Sequence, residues 1–212
     1  MNIAGVMLAA GNSRRFKGIK QLAMVRGKPM IGHVTGQFAV HGKLMPELHS
    51  LTVILGSDAE KIRPLLPDHV HSKVCMNWQD GMGASLALAA SQVEPDVSHL
   101  LVVLADQVDI GQPQITKLIQ NSYLAPDKII VASFEHITGP PVIFPRRFFA
   151  SLARLKGDQG AKKLLKTHCQ QVLRVDLPQA QNDIDTWADL QHWQGRVNNS
   201  HKISKAQKWR GQ

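Results

Sequence analysis

The chain has 212 residues, enough for one domain with a full hydrophobic core. Hydrophobic residues make up 43% and charged residues 19%, and no apolar run approaches the roughly 20 residues of a membrane span, which excludes a helical membrane protein. The formal net charge is +9, and five of those charges fall in one acid-free stretch, Gly195–Gln212, so the remaining +4 does not call for a nucleic acid and suits a polyphosphate as well.

The apolar run Ile3–Leu8 opens the chain as a strand, and no basic segment precedes it, so it does not read as a signal peptide. The loop Ala9–Gly18 follows, then a helical pattern over Pro29–His41. Leu51–Leu55 reads as a second strand ending at Gly56–Ser57, and Asp58–Leu66 as a helix. Val70–Met76 is a third strand. His69 and His71 stand two apart there, but with no third ligand at a telling spacing they fit a surface strand better than a metal site. A helix over Ala84–Val93 leads to Leu100–Ala105, the most apolar strand, which ends at Asp106–Gln107. A helix over Pro113–Tyr123 precedes the strands Lys128–Phe134 and Val142–Phe144. Helices over Arg147–Leu155 and Gly160–Thr167, a strand over Gln171–Val175 and a helix over Thr186–Trp193 complete the pattern. Trp78, Trp187 and Trp193 read as packing residues. Cys75 and Cys169 lie far apart and off any metal-site spacing, which fits a reducing, cytoplasmic location. The tail carries Arg196, Lys202, Lys205, Lys208 and Arg210, either as a solvated end or as an arm for an anionic partner.

Near-continuous Val, Ile and Leu in the strands marks them as covered on both faces, and their alternation with helices predicts a doubly wound, mostly parallel α/β sheet, Rossmann-like, with closing strands that can run antiparallel. The expected division is a single domain over 1–194 and a basic tail over 195–212. In such sheets ligands bind at the carboxyl ends of the strands, where the first loop, Gly56–Ser57 and Asp106–Gln107 all fall.

The first loop holds the chemistry. Small residues at Ala9, Ala10 and Gly11 let the backbone approach a ligand, and successive N–H groups there can form an anion nest. Arg14, Arg15, Lys17 and Lys20 add four cations. The spacing is neither the dinucleotide fingerprint nor the P-loop. Asp106, at the end of the central strand, is a hard ligand suited to Mg²⁺, against the plainer role of a turn residue or cap. Asp183 and Asp185 stand two apart, so an extended segment turns them the same way, and Asp185 either serves a metal or caps the helix at Thr186.

Leu8–Lys20 resembles the signature L-A-A-G-x-S-x-R-[MF]-G-x-x-K of the molybdopterin nucleotidyltransferase-like family, which includes molybdenum cofactor cytidylyltransferases and related guanylyltransferases. Leu8, Ala9, Ala10, Gly11, Ser13, Arg15, Phe16 and Lys20 match, while Lys17 stands at the family's glycine and Gly18 follows one place late. Asn77–Leu86 resembles N-x-x-x-G-M-x-x-S-L, Leu101–Gln107 an apolar strand ending in Asp-Gln-Pro, and Gly139–Phe144 a Gly-His-Pro-x-x-Phe segment. Gly157–Ala161 resembles G-D-x-G-A, and Asp183–Leu190 resembles D-I-D-T-x-x-D-L. Val108 replaces the proline and Pro140 the histidine of these patterns.

The resemblance implies a GT-A type nucleotidyltransferase fold and a Mg²⁺-dependent transfer of a nucleoside monophosphate, CMP from CTP, to the phosphate of a molybdopterin acceptor. It implies nucleotide contacts from Leu8, Ala9, Ala10, Gly11, Ser13, Arg15 and Lys20, to which the charge of the loop adds Arg14, further nucleotide contacts near the base from Asn77 and Gly81, base or ribose contact from Ser85, and a metal held by Asp106 with Asp183 or Asp185. Arg15, Lys20 and Asp106 are the expected catalytic residues. The Ala9-Ala10-Gly11 form of the loop resembles the cytidylyl branch. The partners implied are the triphosphate, the phosphorylated pterin and a molybdoenzyme client, with no membrane and no nucleic acid. The competing expectations are a non-catalytic pterin or nucleotide carrier and a sugar-phosphate nucleotidyltransferase, since fold alone does not fix the acceptor.

Overall fold

The computed structural model describes residues 1–158 and 160–197. The elements run in the order β1 (Ile3–Ala9), a short hairpin β2 (Met24–Val25) and β3 (Lys28–Pro29), α1 (Met30–Gly36), a second hairpin β4 (Ala39–Val40) and β5 (Lys43–Leu44), β6 (Ser50–Leu55), α2 (Ala59–Ile62), β7 (His71–Val74), α3 (Met82–Ser91), β8 (His99–Leu104), α4 (Gln112–Leu124), β9 (Ile129–Phe134), β10 (Ile137–Pro145), α5 (Phe149–Leu152), α6 (Lys162–Thr167) and β11 (Val172–Asp176). Residues 187–197 are helical. Seven strands form one sheet in the order β11-β9-β10-β8-β1-β6-β7. Every neighbouring pair is parallel except the two made by β10, which runs antiparallel to β8 and β9.

The strand period of two explains how the central strands serve two cores. In β1, Ile3, Met7 and Ala9 face one layer while Ala4, Val6 and Leu8 face the other. β8 does the same with Leu101 and Val103 against Leu100, Val102 and Leu104. The first layer takes Met30, Ile31 and Val34 of α1, Ile115, Leu118 and Ile119 of α4, and Leu190 and Trp193 of the last helix. The second takes Leu86, Ala89 and Ala90 of α3 with Phe149 and Leu152 of α5. All seven residues of β1 are buried, as a strand covered on both faces requires.

The mostly parallel α/β expectation therefore holds, and the antiparallel exception is one strand. The boundaries differ where local turn chemistry intervenes. The helix expected to reach His41 stops at Gly36, because His41 and Gly42 both take left-handed backbone (φ 50° and 76°) and turn the chain into the β4–β5 hairpin. The helix expected over Asp58–Leu66 gives way after Ile62 to a 3-10 turn holding Pro64. The strand expected over Val142–Phe144 is longer, Ile137–Pro145, with an irregular register between Gly139 and Val142 where two prolines interrupt the ladder. The last helix includes Gly195, Arg196 and Val197, and Val197 packs partly against the core. The rest of the expected tail, residues 198–212 with Lys202, Lys205, Lys208 and Arg210, lies outside the described residues.

Candidate active site

The carboxyl ends of β1 and β8 open into a cleft of about 460 Å³, lined among others by Ala10, Ser13, Arg15, Lys20, Ser85 and Asp106. Leu8, Ala9, Gly11 and Arg14 line it as well. The loop after β1 keeps its shape through local contacts. Ser13 takes left-handed backbone (φ 52°), a short 3-10 turn follows over Arg14–Phe16, and Phe16 is buried. Gln21, also buried, donates from Nε2 to the carbonyl of Ala9 at 3.0 Å and accepts from the Ser13 hydroxyl at 3.5 Å. Gly56, at the end of β6, sits against the same loop: a β-carbon there would lie 2.2 Å from the carbonyl oxygen of Ala10. Glycine is required for that approach.

Charge gathers on one side of the cleft. The Lys20 ammonium lies 2.7 Å from Asp106 Oδ2 and 3.1 Å from Asp185 Oδ1. The Arg15 guanidinium lies 2.9 Å from Asp185 Oδ2. Arg15 is 73% exposed, whereas Lys20 is only 13% exposed, so the inner bridge is the less screened of the two. Burial opposes the charge on Lys20, but the field and hydrogen bond of Asp106, and then those of Asp185, outweigh it and raise its pKa. The remaining Asp106 oxygen, Oδ1, is buried with no hydrogen-bond partner among the described residues. A buried, unpartnered carboxylate oxygen beside a second carboxylate is a donor set that fits a hard divalent cation.

Helix capping is accounted for without either aspartate. Thr186 Oγ1 accepts from the Asp189 N–H at 3.1 Å, and Asp189 Oδ2 accepts from the N–H groups of Thr186 and Asp185 at 2.7 and 3.1 Å. This reciprocal capping box leaves the Asp185 carboxylate to the two cations. Asp106 caps nothing either, since α4 starts after Gly111. Asp183 is placed differently. It makes an isolated bridge to Gln107 and is not among the cleft-lining residues, so the expectation that Asp183 and Asp185 share a face gives way to one carboxylate in the cleft and one beside it. Asp183 keeps contact with solvent, yet partial desolvation first, and the negative charge of Asp106 second, push its carboxyl up to about 6.

The opposite wall comes from the start of α3. Trp78, Gln79, Gly81, Met82 and Ser85 line it, with Ser85 buried. Asn77 does not line the cleft; it accepts from the Cys75 thiol at 3.4 Å and donates to Asp80 at 3.3 Å. Gly81 (φ 99°) and Gly83 pack against the loop at Gly157–Asp158, where a β-carbon on Gly81 would lie 2.3 Å from Asp158 Oδ1 and one on Gly83 2.7 Å from the Gly157 carbonyl. That contact brings Asp158 into the cleft. Asp158, Gln21 and Met30 were not expected there from sequence. The G-D-x-G-A resemblance marked the loop around Asp158 but not its neighbour across the cleft. Trp187, expected to pack, stacks on Phe16 with centroids 4.5 Å apart and is still 52% exposed, while Trp193 is buried and donates to Asp109 at 2.8 Å.

Among the described residues, one other group of potential metal ligands, His49, Glu94 and Asp96, is exposed and lies just before β6 and β8, at the end of the sheet opposite the cleft. Among the described residues, no helix is long and apolar enough to cross a membrane.

The profile of the MobA-like NTP transferase domain matches residues 5–172, a span that contains most of β1, the basic loop, the α3 wall and Asp106. The chain belongs to this family. It is thus a nucleotidyltransferase whose substrate is a nucleoside triphosphate. Purine catabolism protein PucB of Bacillus subtilis is 28% identical over 174 residues, which is 78% of this chain and 81% of PucB. The crystal structure of Rv0371c from Mycobacterium tuberculosis H37Rv superposes with a TM-score of 0.71 at 28% identity, covering 91% of this chain and 98% of that one. The structure of Rv0371c in complex with manganese gives 0.69 at 28% identity, over 91% and 97% of the two chains.

Proposed function

We propose that this nucleotidyltransferase moves CMP from CTP to the phosphate of a molybdopterin-type acceptor, with Mg²⁺ as its metal, and that a molybdoenzyme receives the product. The observation that carries the reaction chemistry is the juxtaposition, at the carboxyl ends of two parallel strands, of Arg15 and Lys20 with Asp106 and Asp185. The acceptor and the base rest on the resemblance of the loop and of Asn77–Leu86 to the molybdopterin branch. The manganese complex of Rv0371c supports a divalent metal.

In this reading the backbone at Ala9–Gly11 and the cations Arg14, Arg15 and Lys20 hold the triphosphate. An acceptor phosphate oxygen forms the new bond to the α-phosphorus, the bond from that phosphorus to the bridging oxygen breaks, and pyrophosphate departs. Arg15 and Lys20 neutralise the charge that grows on the leaving group. Asp106 and Asp185 hold the cation, which when bound supplies Lewis-acid polarisation of the phosphoryl oxygens. Ser85 and the turn at Gly81 face the base and ribose. Little covalent chemistry falls to the protein, so its work is positioning and charge neutralisation.

The test is pyrophosphate release with CTP and with GTP, each with a reduced pterin phosphate or a sugar phosphate as acceptor. Turnover confined to CTP and the pterin supports the proposal. Equal rates with GTP overturn the base, and turnover only with the sugar phosphate overturns the acceptor. Replacing Arg15 or Lys20 by Ala should weaken triphosphate binding by about 1.5–3 kcal/mol per lost contact, toward the lower end for exposed Arg15.

A further inference from the structure

Four charges on one side of the cleft balance one another. Asp106 and Asp185 contribute two negative charges, and Lys20 and Arg15 answer with two positive ones at 2.7–3.1 Å. Of the four oxygens on the two carboxylates, three are engaged by these cations, and only Asp106 Oδ1 is without a partner. The bridge is not a loose surface pair, since Lys20 and Asp106 are only 13% and 19% exposed.

We propose that Lys20, helped by Arg15, acts as a resident cation on the metal-binding carboxylates, so that a divalent ion is held weakly until the triphosphate draws both side chains away. This rests on the reading of Asp106 and Asp185 as the metal's ligands. An ammonium and a divalent ion on the same two carboxylates repel each other at such short range in a poorly hydrated site, so each weakens the other's hold. The triphosphate changes the balance by offering Lys20 and Arg15 other anionic partners. It frees the carboxylates at the moment a cation is needed beside the phosphates. Metal and nucleotide therefore favour each other's binding, and the empty enzyme is protected from loading metal alone.

The experiment measures Mn²⁺ binding to the full chain without nucleotide, by loss of the free-ion electron paramagnetic resonance signal. Glu94→Gln is present in every protein, so that the exposed His49–Glu94–Asp96 group does not contribute. Lys20→Met keeps much of the side-chain length and removes the charge. It should bind Mn²⁺ about tenfold tighter or more, as loss of a neighbouring like charge requires. Lys20→Arg keeps the charge and should stay within a few-fold of the parent by the same argument. Arg15→Gln, at an exposed position that the fold does not need, should give a smaller tightening and reports even where Lys20→Met fails to fold. Unchanged or weaker Mn²⁺ binding in Arg15→Gln and in folded Lys20→Met overturns the exchange. Asp106→Asn in the same background separates this from failure of the site itself. If it abolishes Mn²⁺ binding while the lysine and arginine variants do nothing, only the exchange is wrong. If it leaves Mn²⁺ binding untouched, the metal sits elsewhere and the functional reading fails with it.

Discussion

Asp106 combines two demands that rarely meet in one side chain: one oxygen paired with Lys20 and the other buried without a partner. An unpartnered buried carboxylate oxygen is costly in a finished fold, so its retention points to a task rather than to stability. Asp106→Asn keeps the shape and removes the charge. Nucleotidyl transfer should be lost across a Mg²⁺ titration, and the metal-free melting temperature should fall, because Lys20 loses the nearer of its two carboxylates in a poorly exposed site. Near-normal turnover at low Mg²⁺ would move the metal to other carboxylates. Asp183 supplies a second check, through pH. Its carboxyl rises from 3.8 to about 6 on folding, so between those values the folded protein binds more protons than the unfolded chain. Stability must then fall as pH rises through that window, and the Asp183→Asn protein, with nothing to ionise, escapes the fall. In EDTA, the melting temperature of Asp183→Asn relative to the parent should climb from about pH 4 to about pH 6 and then level off. A flat difference would mean that neither desolvation nor the Asp106 charge raises the Asp183 carboxyl in solution.

At the scale of elements, the cleft walls depend on backbone contacts that only glycine allows. Gly81 has φ 99°, and an added β-carbon would lie 2.3 Å from Asp158 Oδ1 and 2.6 Å from the Gly157 carbonyl carbon. Gly81→Ala should cost about 1–3 kcal/mol in backbone strain and displace the Gly157–Asp158 loop from α3. At about 2–4 °C per kcal/mol for a domain of this size, thermal melting will resolve it, and an unchanged melting temperature would count against the tight packing. These contacts also show what sequence could and could not reveal. The strands of the main sheet were legible because runs such as Leu100–Ala105 are apolar on both faces, which few other elements require. The loop Leu8–Lys20 was legible because its cations follow small residues at the end of such a strand. The hairpin at His41–Gly42 was not, since a left-handed histidine has no strong signature. Nor was the place of Asp158, which comes from packing between segments more than seventy residues apart. Asn77 matched a motif and yet turns to Cys75 and Asp80, because its conformation is set by the short turn it sits in.

For the molecule as a whole, the question is how far toward the C-terminus the site depends on the chain. Every described residue lining the cleft falls within the span from Leu8 to Asp185. The helix at 187–197 lines nothing, but it closes the first core layer through Leu190 and Trp193, which are 1% and 2% exposed. It is also tied to Asp185 through the Thr186–Asp189 capping box, and so to the carboxylate that meets Lys20 and Arg15. Cutting before this helix should therefore damage chemistry from a distance: Trp193 alone is worth about 3–5 kcal/mol in a core when truncated. Cutting after Val197 removes residues 198–212 and keeps every described residue of both layers and of the capping box. That truncation should keep turnover on a small acceptor within a few-fold of the full chain and should keep its melting temperature. Its affinity for large polyanions should fall, because it loses Lys202, Lys205, Lys208 and Arg210, and that loss should shrink as salt rises. Turnover more than about tenfold lower, equivalent to 1.4 kcal/mol of barrier, would show that the terminal segment takes part in building the cleft.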